Sequence, residues 1–310
     1  MCAAPAHAIV DPCGRVPRDD VSDPQPFSPG TEIVMKAVVL AAGRGRRMRD
    51  SAEPVRLSDA QRREADRGQK TLIPFHGHPF LAYLLSELAD GGVSRVCIVV
   101  GPDPGDPVRR AAEALNPTRL SIEFAVQASP EGSAHALAAA RAFATRSPGP
   151  ESGEFLVVNA DNLYPASAIA ALVGRSGHAM AGFRQRGLLG GTITPERLSA
   201  FALVRTGSDG CLETIVEKPG PSDRKRAGLD DDALVSMTLW RFRPEVLDLC
   251  EGLERSLRGE FELPDAVTEL VQGRGRCVQV VPVDAPVLDL THRRDIPVVD
   301  ALLEGREPRL

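Results

Sequence analysis

From residue 36 onward the chain alternates short apolar runs of strand character with stretches of helical periodicity, and this alternation restricts the fold more than any other feature. The runs are KAVVLA (36–41), RVCIVVG (95–101), SIEFAV (121–126) and EFLVVN (154–159), and the spacing predicts helices near 79–90, 107–115 and 134–144. Strands that are apolar on both faces, each followed by a helix that returns the chain, predict an α/β fold: a Rossmann-like, doubly wound, mostly parallel sheet with helices on both faces. After Asp161 the rhythm changes. AMAGF (179–183), SAFALVRT (199–206), LETIVEKP (212–219) and ALVSMTLWRF (233–242) follow with few helices between them. A smaller, partly antiparallel layer is therefore expected over the carboxyl ends of the first sheet, where α/β folds bind ligands. The remaining chain returns to helix, strand, helix.

Two segments stand outside this rhythm. Residues 1–34 carry six prolines and no apolar periodicity, which predicts a disordered extension or a mis-set start with Met35 as the first residue. Residues 49–69 form a polar excursion in which Ser58 or Asp59 is placed to cap a short charged helix. The longest apolar runs fall far short of the roughly 20 residues that cross a bilayer, and residues 1–34 lack the apolar core of a secretory signal, so a cytoplasmic protein is expected. A net charge of −5 gives no reason to expect nucleic acid or a membrane surface as partner. The six cysteines show no CxxC pair and no histidine at ligand spacing. Neither a zinc site nor a disulfide framework is indicated, and the thiols are expected to be reduced.

The first strand ends in a glycine turn, AAGRGRRMR (41–49), with Arg44, Arg46, Arg47 and Arg49 packed into six positions. Glycines after a first strand let backbone N–H groups approach phosphate oxygens, because no side chain holds the ligand away. A P-loop needs Lys and Ser or Thr after its second glycine, where Arg46 and Arg47 stand, and a dinucleotide fingerprint needs a third glycine where Met48 stands. Both fail. Of 37 basic residues only four are lysines, at 36, 70, 218 and 225; where the chain keeps a lysine, chemistry is the expected reason.

LAAGRGRRM (40–48) resembles the LAAGxGTRM signature of the sugar-1-phosphate nucleotidylyltransferases, or NDP-sugar pyrophosphorylases. Six further stretches resemble motifs of that family in the same order: QKTLIPFHGHPFL (69–81), VQASPEGSAHAL (126–137), FLVVNADNLYP (155–165), VEKPG (216–220), GEFELPDAV (259–267) and VLDLTHRRDI (287–296). The resemblance implies a nucleotide-diphospho-sugar transferase fold, with a nucleotide-binding half near 35–165, an acceptor-binding half near 166–310 and the polar insertion at 49–69. It implies attack of a sugar-1-phosphate, or a sugar-like cyclitol phosphate, on the α-phosphorus of a nucleoside triphosphate, with Mg²⁺ as cofactor. Both reactants are anions, so positioned cations are the main remedy for the barrier. No general base is needed, because the attacking phosphate is already ionised.

Carried onto this sequence, the resemblance makes Arg47 and Lys70 the catalytic cations. Leu40, Ala41, Ala42, Gly43 and Gly45 would form the nucleotide loop, and Gln127 and Gly132 would meet the base. Asp161 and Asp289 would hold the metal, as carboxylates suit a hard cation. Glu217, Lys218, Ala202 and Asn162 would face the acceptor, and His135 is expected on a helix face near the site. Departures cluster on the sugar side: Ala202 and Thr238 stand where glycines are expected, Trp240 for the usual aromatic, and Thr291 and His292 replace a Gly-Thr pair. The wording is nearest to glucose-1-phosphate thymidylyltransferases, which favours dTTP or UTP, with ATP or GTP left open. Two alternatives remain: an inactive homologue that binds nucleotide or sugar phosphate in regulation, and nucleotidyl transfer to a non-sugar phosphate. A homo-oligomer is compatible with either.

Overall fold

The computed structural model describes residues 35–310 apart from 52, 147–152, 231 and 257–258; the extension expected at 1–34 lies outside the described residues. In chain order come β1 (Met35–Leu40), α1 (Asp59–Asp66), α2 (Phe80–Asp90), β2 (Val93–Val100), α3 (Pro107–Leu115), β3 (Ser121–Val126), α4 (Ser133–Ala139) and β4 (Phe155–Asn159). Then follow α5 (Ala166–Val173), β5 (His178–Phe183), β6 (Ala202–Thr206), β7 (Leu212–Val216), β8 (Leu234–Phe242), α6 (Glu245–Gly252), α7 (Leu263–Thr268), β9 (Val278–Val283) and α8 (Asp295–Leu302).

These nine strands form one mixed sheet in the order β7-β6-β8-β4-β1-β2-β3, with β5 paired to β8 and β9 paired to β5. β1, β2, β3 and β4 are mutually parallel where they pair, whereas β8 runs antiparallel to β4, β5 and β6. The continuous apolar runs are explained by a core on each face. Ala37 and Val39 of β1 pack with α2 and α5 on one side, and Val38 packs with α4 and α6 on the other. A strand buried on both faces has no polar face to alternate, so its sequence reads as a run.

Local chemistry sets the ends of the elements. Ser58 caps α1 in a reciprocal capping box with Gln61, as one of the two expected caps. Asp106 accepts from Val108 and Arg109 N–H at the start of α3, where Pro107 loses no hydrogen bond. Lys36 departs from the expectation that a retained lysine does chemistry. Its side chain is buried, and Nζ donates to the carbonyls of Ala144 and Arg146, both at 2.7 Å, closing the end of the helical turn Arg141–Thr145. Burial, helped by the neighbouring Arg95 and Arg146 charges, pulls its pKa down to about 8.

The cysteine expectation is corrected in part. Cys211 and Cys277 form a disulfide across 66 residues of sequence. Cys211 lies at the mouth of the β6–β7 hairpin and bridges to Gln279 of β9, and Val280 N–H donates to Gly210 O at 2.9 Å. This cross-sheet pairing brings two distant cysteines together and leaves no trace in their spacing. Cys97 and Cys250 are buried free thiols, each pushed up to about 12 by desolvation, which leaves them inert. Reduction of the disulfide should lower the unfolding free energy by about 2–4 kcal/mol. A melting temperature that dithiothreitol does not move, and that Cys211→Ser shares, would remove the bridge from the account.

Candidate functional site

The carboxyl ends of β1 and β4 open onto a cavity of about 630 Å³, walled on one side by the loop Leu40–Arg47. Ala41 N–H still donates to Val99 O at 3.0 Å, so the loop leaves the sheet only after the first alanine. Gly45, at φ 55°, then starts a single helical turn, Arg46–Arg49, which the fully buried Met48 pins to the core. Arg44, Arg46 and Arg47 stay exposed along the cavity rim, and among the described residues none of the three has an ion-pair partner. Leu40, Ala41, Ala42 and Gly43 line the cavity beside them. A Cβ on Gly43 would meet nothing within 4 Å, whereas a Cβ on Gly45 would sit 2.0 Å from the carbonyl oxygen of Gly68. The end of the 49–69 insertion is thus the back wall of the arginine loop. Sequence reading missed Gly68, whose signal is a lone glycine in a polar run.

Across the cavity, Gln127 is buried at the end of β3, and its Nε2 donates to Gly132 O at 3.1 Å and meets His135 Nδ1 at 3.2 Å. Gly132, at φ 115°, lies against the backbone of Phe261, whose carbonyl oxygen would be 2.3 Å from an added Cβ. That contact is fixed by Phe261 N–H on Glu131 O at 2.8 Å and Ala134 N–H on Phe261 O at 3.0 Å. Gly132→Ala should therefore shift this wall and raise the dissociation constant for nucleotide at least tenfold, read by calorimetry; unchanged binding would detach Gly132 from the nucleotide wall.

Lys70 and Asp161 both line the same cavity and are ion-paired at 2.7 Å. Behind them lies a buried polar cluster. Asn162, expected on the acceptor side, is 3% exposed and lies between two carboxylates. With its amide nitrogen turned inward it donates to Asp161 Oδ1 at 3.1 Å and Asp289 Oδ2 at 3.2 Å; with its oxygen inward, Nδ2 reaches Met237 O at 3.4 Å and three oxygens converge. Asp289 is 4% exposed and is not among the residues lining the cavity. It is joined to Arg197, which also binds Asp295 at 2.8 Å, and Thr192 Oγ1 bonds both its N–H and its carbonyl. Burial, reinforced by the charge of Asp161, pushes the Asp289 carboxyl above the ordinary range, and Arg197 opposes the shift. Burial also raises Asp295, against hydrogen bonds from His292 and Thr291 N–H. Arg197, Thr192 and Asp295 carried no sequence signal, because their role exists only through contacts 92 to 98 residues apart.

A second chamber of about 240 Å³ shares Ser133, Asn159 and Glu260 with the first. Glu217, Ser236, Thr238, Trp240 and Glu262 complete its polar wall. Lys218 is exposed on the bend after β7, at φ 44°, and Ala202 is buried in β6; neither is among the residues lining the two cavities. The arrangement is thus a cationic, glycine-walled cavity suited to a polyanion, joined to a small chamber rich in hydroxyls and carboxylates.

Comparison with known proteins gives a consistent result. Residues 36–304 match the nucleotidyl transferase family. The UTP–glucose-1-phosphate uridylyltransferase AglF of Haloferax volcanii is 25% identical over 84% of this chain and 93% of its own length. The glucose-1-phosphate thymidylyltransferase of Streptomyces antibioticus is 28% identical over 89% of this chain and 68% of its own. The low-salt glycan biosynthesis nucleotidyltransferase Agl11 of H. volcanii is 26% identical over 77% of this chain, which spans 57% of that relative's length. A solved structure of UDP-glucose pyrophosphorylase with UDP-glucose superposes with a TM-score of 0.65 over 88% of this chain and 100% of its own; at 17% identity that likeness carries the fold alone.

Proposed function

The chain belongs to the nucleotidyl transferase family, and on that premise we propose that it joins a sugar-1-phosphate or cyclitol phosphate to the α-phosphate of a nucleoside triphosphate, releasing pyrophosphate. The observation that carries this reading is one cavity lined both by the arginines of a glycine loop, which have no ion-pair partner among the described residues, and by the Lys70–Asp161 pair, a cavity that shares wall residues with a smaller polar chamber. In this reading Arg47 lies along the triphosphate and Lys70 turns from Asp161 to a phosphate oxygen, so that charge growing on the leaving pyrophosphate meets fixed cations. Gln127, oriented by Gly132 and His135, holds the base; thymidylyl- and uridylyltransferase relatives favour dTTP or UTP.

Asp161 Oδ1 and Asp289 Oδ2, which lie 3.1 and 3.2 Å from the one Asn162 amide group, are the carboxylate oxygens that would hold a hard divalent cation such as Mg²⁺. Such an ion, when bound, supplies Lewis-acid stabilisation of the phosphates. The protein's part is to hold the two carboxylates in place, Asp289 through its ion pair with Arg197 and Asp161 through its ion pair with Lys70 until the phosphates arrive.

The test is pyrophosphate release with Mg²⁺ in a grid of five nucleoside triphosphates against sugar-1-phosphates and cyclitol phosphates. Signal in one cell supports the reading and names both substrates; silence across the grid with nucleotide still bound favours the inactive homologue. Lys218, outside the cavity walls but beside Glu217, is assigned to the acceptor phosphate. Lys218→Ala should raise the acceptor KM about tenfold or more with little change in the nucleotide KM; the reverse pattern would mean that the two phosphate sites are exchanged.

A further inference from the structure

Among the described residues lining the two cavities, Thr238 is the one non-glycine residue with a left-handed backbone. Its φ of 59° lies in the left-handed region, in the middle of β8. A β-branched residue is a rare occupant of that region, because Cβ crowds the following carbonyl, whereas glycine sits there freely. The position is also where β8 changes partners: Leu234–Ser236 pair with β6, Leu239–Phe242 pair with β4, and the ladder to β5 is irregular between Ser236 and Trp240.

The kink is held from behind. The fully buried Tyr164 donates its hydroxyl to Met237 O at 2.7 Å and lies 3.1 Å from Thr238 O, and it accepts from Asn159 N–H at 3.2 Å. The backbone there would keep its shape with glycine, so the fold does not need the threonine side chain. That side chain instead joins the wall of the small chamber, among Ser236, Glu217, Glu260 and Glu262. A side chain kept in an unfavourable conformation, at a place where the backbone is already fixed and a ligand chamber begins, points to function.

We propose that Thr238 is a specificity-determining residue of the acceptor chamber: its hydroxyl hydrogen-bonds a hydroxyl of the acceptor, and its methyl group excludes acceptors bearing a larger substituent at that position. The inference rests on the proposed nucleotidyl transfer, with the small chamber as the acceptor side. A hydroxyl among carboxylates and other hydroxyls can act as donor or acceptor and suits a polyol. Loss of one such bond in a site built around it costs discrimination more than it costs chemistry.

The experiment measures steady-state kinetics and melting for the parent, Thr238→Gly, Thr238→Ser and Thr238→Val, with the acceptor and triphosphate found in the grid and with bulkier acceptor phosphates. Thr238→Gly is expected to melt at or above the parent, because strain is relieved. Its acceptor KM should rise at least tenfold with an unchanged triphosphate KM, and it should turn over acceptors that the parent rejects. Thr238→Ser should stay within about threefold of the parent in acceptor KM, whereas Thr238→Val, which keeps the branched shape and loses the hydroxyl, should resemble the glycine variant in KM without its broadened range. Unchanged acceptor KM and range in Thr238→Gly, with an active parent, overturns this inference and leaves the proposed function standing. A parent that turns over no acceptor in the grid overturns both.

Discussion

Asp161→Asn should lower kcat by about three orders of magnitude or more while leaving the melting temperature equal to or above that of the parent. The substitution keeps the shape of a part-exposed side chain and removes one negative charge from a place where Lys70, Asn162 and Asp289 converge. For stability the charge is a liability, since it helps to push the buried Asp289 carboxyl upward. For the proposed reaction it is required, because a hard cation between phosphates needs an anionic oxygen from the protein. Opposite signs in activity and stability are the expected mark of a group kept for chemistry. Activity near the parent level, measured as pyrophosphate release at saturating substrates, would sink the metal assignment.

Arg197→Met should destabilise the fold by about 3–5 kcal/mol at neutral pH, because it leaves two buried carboxylates facing each other without their cation. Arg197, Asp289 and Asp295 have side-chain exposures of 10%, 6% and 3%, so water cannot replace the lost charge. The pH dependence has a definite sign. Both carboxyls are held above their ordinary range in the folded protein, so the native state binds protons more tightly than the unfolded chain, and stability falls as pH rises through the folded values. Removing the arginine enlarges that shift. The deficit of Arg197→Met should therefore be greatest at neutral pH and narrow on acidification, as chemical denaturation at a series of pH values would record. A deficit that is the same at pH 5 and pH 8, or below about 1 kcal/mol throughout, would show that the triad does not carry this charge balance.

Much of the architecture was legible because it is periodic. The runs at β1 to β4 and the helices between them fall within a few residues of their expected places, since burial on two faces imposes a continuous apolar run and burial on one imposes the helical repeat. The helix expected near 134–144 is the exception: it is broken at Ala140 into α4 and the turn Arg141–Thr145, in which the Ala144 carbonyl accepts from Lys36. Lys36 and Lys70 look alike in sequence, yet one closes a helix end in the core and the other is ion-paired with Asp161 in the cavity wall. Gly45 and Gly68 are 23 positions apart and each fills the other's missing side chain. Sequence spacing has no means of pairing them.

The order of strands and helices, the glycine turn with its arginines and the candidate ligand residues were thus set down in the sequence by itself, because each depends on neighbours a few positions away. Three things were decided only by the tertiary structure: the burial of Asn162 beside Asp289 and of Asp289 against Arg197, the Cys211–Cys277 bridge, and the left-handed conformation of Thr238 where β8 changes partners. Each of these depends on which residues, tens of positions apart, the sheet brings within a few ångströms, and charge, redox pairing and backbone strain all depend on that distance rather than on position in the chain.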